Sequence, residues 1–199
     1  MLKFKNILIS LLLFLISFLL GIYFNKNITS NIIFSIGYGN LIDAPYQIAL
    51  LICQTFILFG MFRYIFKVNT KIDLYFVSVA YLLILGMILF GRGHSPNHSI
   101  GLNPFAFLID SLKNKTNLIT SFLNFMILFP FSFILILLNK KITVKSQLII
   151  GFILSFTIEF LQLIFSLGVF DLSDIVLYFS GFSAGVYVFN FYLKNHSLV

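Results

Sequence analysis

Charge is scarce in this sequence. Of its 199 residues, 10% are charged and 60% are hydrophobic, whereas a soluble domain carries about 25% charged residues. So small a supply cannot coat a water-facing surface. Length alone allows one or two soluble domains, but no stretch between the apolar runs is long enough to be one. A single membrane domain over residues 1–199 is therefore expected. Cysteine is almost absent. Cys53 is the only one, which excludes an intrachain disulfide and a cysteine-based metal site; its apolar run marks it as a small buried side chain. The chain also lacks a phosphate-binding Gly loop, a nucleophile elbow and an HExxH pair, and shows no internal repeat or low-complexity tail. The net charge of +7 does not point to nucleic acid, because the Lys and Arg residues form no stripe with interleaved aromatics.

What is abundant is apolar bulk. The 27 Phe residues and frequent Ile and Leu suit a surface facing lipid tails, and the mean hydropathy is +1.05. A spanning helix needs about 20 mostly apolar residues. Six stretches approach that length: Ile7–Phe24, Pro45–Phe62, Leu74–Phe90, Leu118–Leu138, Gln147–Leu167 and Phe170–Leu193. None alternates with the period of a membrane barrel, so helices must satisfy the backbone in lipid. The expected fold is all-α, a polytopic transmembrane bundle of about six spans. The first stretch follows Lys3 and Lys5 and imitates a signal peptide. It lacks a small-x-small cleavage site and is longer than a signal core, so it reads as an uncleaved helix.

Loop charge sets the expected orientation. With the N-terminus inside, the cytoplasmic side holds Lys3, Lys5, Arg63, Lys67, Lys71, Lys140, Lys141, Lys145 and Lys194. The outer side holds only Lys26, Arg92, Lys113 and Lys115. A cell-membrane protein with both termini cytoplasmic is expected. Two long outer loops follow, 25–44 and 91–117. The first carries Gly37 and Gly39 around Tyr38. In the second, Phe105, Phe107, Leu108 and Leu112 suit a short helix lying in the interface.

The informative residues are the polar ones within or beside the spans. An ionisable group near the bilayer centre costs about 2.5–3.5 kcal/mol on insertion scales, so it usually has a partner or a function. Ser155, Glu159 and Gln162 recur at i, i+4 and i+7 and share one helix face, which should point into the bundle. Polar residues of this kind also simply glue helices together, but a carboxylate between Ser155 and Gln162 favours a functional site. Asp171 and Asp174 open the last span, where the helix dipole favours negative charge; i, i+3 spacing puts them on one face with Tyr178. N-terminal capping accounts for one of the two. Gly181, Ser183, Ala184 and Gly185 read as close-packing residues. A short connection makes the last two spans a hairpin, bringing Glu159, Gln162, Asp171 and Asp174 near one another. Arg92, Asn103 and Asn124 point to the same outer locus, with Arg92 or Asn124 the expected partner of Glu159.

Glu159, Asp171 and Asp174 are thus the candidate catalytic groups. Arg92, Asn103, Asn124, Ser155, Gln162 and Tyr178 are the candidate binding residues. An arginine there can pair with a carboxylate or hold a phosphate bidentately. The carboxylates alone also suit a hard divalent cation, although which cofactor or metal binds, if any, is unknown from sequence. His94 and His98 make a poor metal pair, with Pro96 between them in a Gly-rich loop.

These residues also resemble a known pattern. Arg92, LNPF (Leu102–Phe105), NFMILFPFSF (Asn124–Phe133), SFTIEFLQ (Ser155–Gln162) and FDLSDIVLYFSG (Phe170–Gly181) resemble the VanZ-like family over about residues 90–190. The resemblance covers Arg92, Asn103, Pro104, Phe105, Asn124, Pro130, Glu159, Gln162, Asp171, Asp174 and Gly181. It implies a small bacterial multi-helix membrane protein, linked through the founding member to low-level resistance to the glycopeptide antibiotic teicoplanin or to envelope stress. It further implies action at the outer leaflet. The implied partners are membrane lipids and a lipid-linked envelope precursor or lipoglycopeptide. Two other readings stand beside it: a membrane-embedded enzyme acting on a lipid head group, with Glu159 as general base and Asp171 or Asp174 as acid or metal ligand, and a structural or partner-binding subunit without chemistry. The chain departs from the pattern at Ser173, where the family often has Asp, and at Tyr178, where it often has Asn. It also offers Gly168 and Val169 in place of an Arg, and Phe131 or Ser132 in place of a Gly.

Overall fold

The computed structural model describes residues 2–35, 43–91, 100–139 and 141–196. Arg92, His94, His98, Pro96 and the Gly37–Gly39 segment lie outside them. Among the described residues, six helices are long and apolar enough to cross a membrane: Asn6–Phe34, Ala44–Ile65, Ile72–Phe90, Lys115–Leu138, Val144–Ile164 and Leu172–Phe191. The all-α, six-span expectation therefore holds. The chain divides into two compact units, Met1–Gly93 and His94–Val199.

In the first unit, α1 (Leu2–Phe24) continues through a π-helical turn (Asn25–Thr29) into α2 (Ser30–Ser35), followed by α3 (Ala44–Ile65) and α4 (Lys71–Phe90). This corrects the expected loop at 25–44, whose first eleven residues are helical. The polar side chains of the segment find partners in the helix itself and on α3. Asn27 and Asn31 donate to the carbonyls four residues back, at 2.9 and 2.8 Å. The Ser30 hydroxyl lies 2.8 Å from Asn25 O and 2.9 Å from Gln47 Oε1 on α3. A π-turn takes up the extra residue that such a register needs. Helix α3 packs against both neighbours through glycine. A Cβ on Gly21 would sit 2.8 Å from Thr55 Oγ1, and one on Gly60 2.2 Å from a Val77 methyl.

In the second unit, β1 (Ile100–Gly101) and α5 (Ala106–Lys113) precede α6 (Lys115–Ile127), α7 (Phe129–Leu138), α8 (Val144–Ile164), β2 (Phe170–Asp171) and α9 (Leu172–His196). Helix α5 is the expected short amphipathic helix, with Leu108, Ile109 and Leu112 exposed and Lys113 paired to Asp110 at 2.6 Å. The fourth span is not one continuous helix. It breaks at Leu128, where Pro130 in the first turn of α7 supplies no N–H to the preceding turn.

Helix α9 is the centre of this unit and packs on α6, α7 and α8. Its glycines set the spacing, as the small-residue reading expects. A Cβ on Gly181 would fall 1.6 Å from Phe125 O, and one on Gly185 2.2 Å from Ser132 Oγ. On another face Tyr178, Phe182 and Val186 recur every four residues and are fully buried. Phe182 fills the space left by Gly151 on α8, where a Cβ would meet the ring at 2.2 Å.

Outward-facing positions such as Leu8, Leu11 and Leu15 on α1 and Ile149, Phe152 and Phe156 on α8 are exposed. Apolar surface this continuous marks a face for lipid.

Candidate polar site at the α8–α9 turn

Ser155, Glu159 and Gln162 have no exposed surface, so the polar stripe of α8 does point inward. Its members behave differently. The Ser155 hydroxyl donates to Gly151 O in its own helix at 2.8 Å, a local bond that leaves no duty toward other helices. Glu159 reaches out of its helix. Its Oε2 accepts the main-chain N–H of Asp171 at 3.1 Å.

The turn that makes this possible is tight. Ser166 adopts φ 54°, and Leu167 N–H bonds back to Gln162 O at 2.9 Å. A left-handed residue there, usually glycine, closes a helix end by directing the chain back. The chain then runs as β2 past Glu159 and enters α9.

Asp171 stands just before α9 and takes the capping role that the sequence reading allows one of the two aspartates. Its Oδ1 accepts Ser173 N–H at 2.8 Å, the bond of a helix N-cap. Asp174 lies in the first turn and accepts from Asn124 Nδ2 of α6 at 2.7 Å. This corrects the expected pairing of Asn124 with Glu159. The other expected partner, Arg92, lies outside the described residues.

A parallel two-residue bridge completes the locus. Ile100 pairs with Phe170 and Gly101 with Asp171. A Cβ on Gly101 would stand 3.2 Å from the Asp171 carboxyl carbon and Oδ1. A glycine is what lets the 100–101 segment lie on that carboxylate. Sequence reading missed this bridge, because two-residue strands carry no periodic signal; the lone Gly101 after an apolar residue is the one trace of it.

The structure therefore gathers Glu159, Asp171, Asp174 and Asn124 from β2, α6, α8 and α9. Gln162 and Tyr178 are buried on the helices that carry the locus. Asn103 is exposed, and its Oδ1 accepts Phe105 N–H at 3.1 Å, a turn that leads into α5. Among the described residues, no three His, Cys, Asp or Glu side chains stand close enough to hold a metal ion. Glu159, Asp171 and Asp174 form no such group, and each carboxylate accepts a hydrogen bond from within the protein. The arrangement holds three carboxyl groups, each engaged by an internal donor, inside an apolar bundle.

Six apolar spans with a buried carboxylate locus define a polytopic α-helical membrane protein. Residues 48–193 match the family model described as VanZ/LLP1, and the chain belongs to that family. The match begins within α3 and takes in that helix and α4 as well as the second unit. No curated protein and no solved structure matches the chain.

Proposed function

We propose that this protein protects the cell envelope in the manner of the VanZ-like family, against glycopeptides of the teicoplanin type. It sits in the cell membrane with both termini cytoplasmic. The α8–α9 turn then faces the outer leaflet, where a lipid-linked envelope precursor or a lipoglycopeptide meets the membrane. Arg92, Asn103 and Asn124 are the residues proposed to bind it together with Glu159, Asp171 and Asp174.

The observation that carries this reading is the fully buried Glu159 bonded to the backbone of Asp171. A carboxylate so placed is expensive in lipid unless it has a use. Engagement of each carboxylate by an internal donor favours binding over proton transfer, because a general base needs reach to a substrate proton. The enzyme reading therefore ranks second.

The test is susceptibility to teicoplanin with and without the gene, alongside a Glu159→Gln variant. Greater susceptibility without the gene, reproduced by the variant, is the expected result. Identical susceptibility in all three strains defeats the resistance reading.

A further inference from the structure

A second site lies in the first unit, far along the sequence from the carboxylate locus. A cleft of about 490 Å³ opens between α1, α3 and the start of α4. Ile7, Leu11, Phe14 and Phe59 form its apolar walls, and Asn6, Ser10, Arg63 and Thr70 supply its polar part.

Arg63 is held in place from three directions. Nε donates to Asp73 at 3.1 Å, one terminal nitrogen to Ser10 Oγ at 2.6 Å and the other to Val68 O at 2.7 Å. Its guanidinium carbon lies 5.4 Å from the Phe59 ring centre, and Phe14 meets Phe59 edge-on at 5.6 Å. An arginine has five N–H donors, so among the described residues one on each terminal nitrogen has no acceptor. Two such donors suit the two oxygens of a phosphate.

Charge supports the same occupant. Among the described residues, Asp73 is the one acidic residue paired to Arg63. Against it stand Arg63 itself and the exposed Lys67, while Lys3, Lys5 and Lys71 belong to the same helix ends in sequence. Clusters of Lys and Arg at a helix end attract anionic head groups. The exposed faces of Ile7, Leu11 and Phe14 continue the cleft into the lipid-facing surface, as acyl chains require.

We propose that this cleft binds an anionic phospholipid, with the phosphate at Arg63 and Asn6 and the chains along α1. The apolar wall distinguishes a lipid from free phosphate.

The test uses the full chain purified in detergent and challenged with phosphatidylglycerol, phosphatidylcholine or inorganic phosphate. Retained lipid is read by native mass spectrometry and stability by thermal unfolding. Phosphatidylglycerol should be retained and should raise the melting temperature; the other two should not. Arg63→Lys keeps the charge and loses the fork, but also disturbs the Ser10 and Val68 bonds. Asn6→Asp is the cleaner variant, because it adds negative charge at the exposed mouth and leaves the Arg63 bonds intact. It should weaken phosphatidylglycerol binding about tenfold, the scale of one charge-assisted contact. Equal retention of the two lipids, an Asn6→Asp affinity equal to the parent, or full stabilisation by inorganic phosphate alone overturns the proposal.

Discussion

The main-chain N–H of Asp171 donates to Glu159 Oε2 at 3.1 Å, tying the end of one apolar helix pair to a backbone atom instead of a side chain. A backbone donor has no rotamer entropy to lose and cannot be deleted by ordinary substitution. Because Asp171 also caps α9 through Ser173 N–H, the same residue serves α8 with its backbone and α9 with its carboxylate. Movement of the α8–α9 turn therefore disturbs two bonds together.

Gly101 is the first place to test this coupling. A Cβ there would stand 3.2 Å from the Asp171 carboxylate, tighter than an ordinary contact, so the flexible carboxyl or the bridge must yield. Gly101→Ala should lower stability by about 1 kcal/mol, read as a lower melting temperature in detergent. An unchanged melting temperature means the bridge contributes nothing.

Asn124 Nδ2 donates to Asp174 Oδ1 across the α6–α9 contact at 2.7 Å. Interhelical hydrogen bonds in membranes average about 0.6 kcal/mol, with a maximum near 1.7. Acceptance by a charged group puts this one toward the upper end. Asn124→Ala should destabilise by about 1–2 kcal/mol, and Asn124→Asp by more, since it sets a second carboxylate against Asp174. Thermal unfolding of both variants checks the order.

The two glycines Gly181 and Gly86 make a paired control. A Cβ on Gly181 meets the backbone oxygen of Phe125 at 1.6 Å, while one on Gly86 meets nothing within 4 Å. Gly181→Ala must push α6 from α9 and should cost about 1–3 kcal/mol. Gly86→Ala should be neutral or stabilising by up to about 1 kcal/mol, through helix propensity alone. Similar melting temperatures for the two variants contradict the close packing of α6 on α9.

These cases show what was readable in advance. The six spans were legible because lipid demands long apolar runs, and the inward stripe because Glu159 has the same period as Ser155 and Gln162. Gly181 and Gly185 were legible as packing residues because small residues have few other uses in such helices. The continuation of α1 through Asn27 and Asn31 was not, since polar residues read as loop unless their bonds to carbonyls four residues back are known. Nor was the partner of Asn124, which depends on which turn of α9 lies level with α6. Capping by one of the two aspartates was legible, but spacing alone does not say which of Asp171 and Asp174 is the cap.

The proposed orientation rests on charge, with nine Lys and Arg residues on the proposed cytoplasmic side and four on the other. Under the positive-inside rule a reporter fused after Val199 is expected in the cytoplasm. A reporter active only outside the membrane, fused there, should be silent, and a cytoplasm-only reporter should be active. The reverse pattern would turn the α8–α9 turn inward and remove the outer-leaflet reading with it.

The site itself is best probed by amides. Glu159→Gln keeps an oxygen that can accept Asp171 N–H, so the bond at 3.1 Å survives. Asp171→Asn keeps an oxygen for Ser173 N–H, and asparagine caps helices about as well as aspartate. Each variant keeps the acceptor oxygen for the bond described, removes the charge and turns the second carboxyl oxygen into an NH2 donor. Both should insert and accumulate at the parent level, within about 1 kcal/mol of its stability, because the lost term is charge assistance and not a whole hydrogen bond. If the locus binds an envelope molecule through its charge, both should lose the protective phenotype. The decisive measurement is antibiotic susceptibility at matched protein level. Full protection by both amide variants would leave the carboxylates a structural role only, as the acceptors that close α8 onto α9.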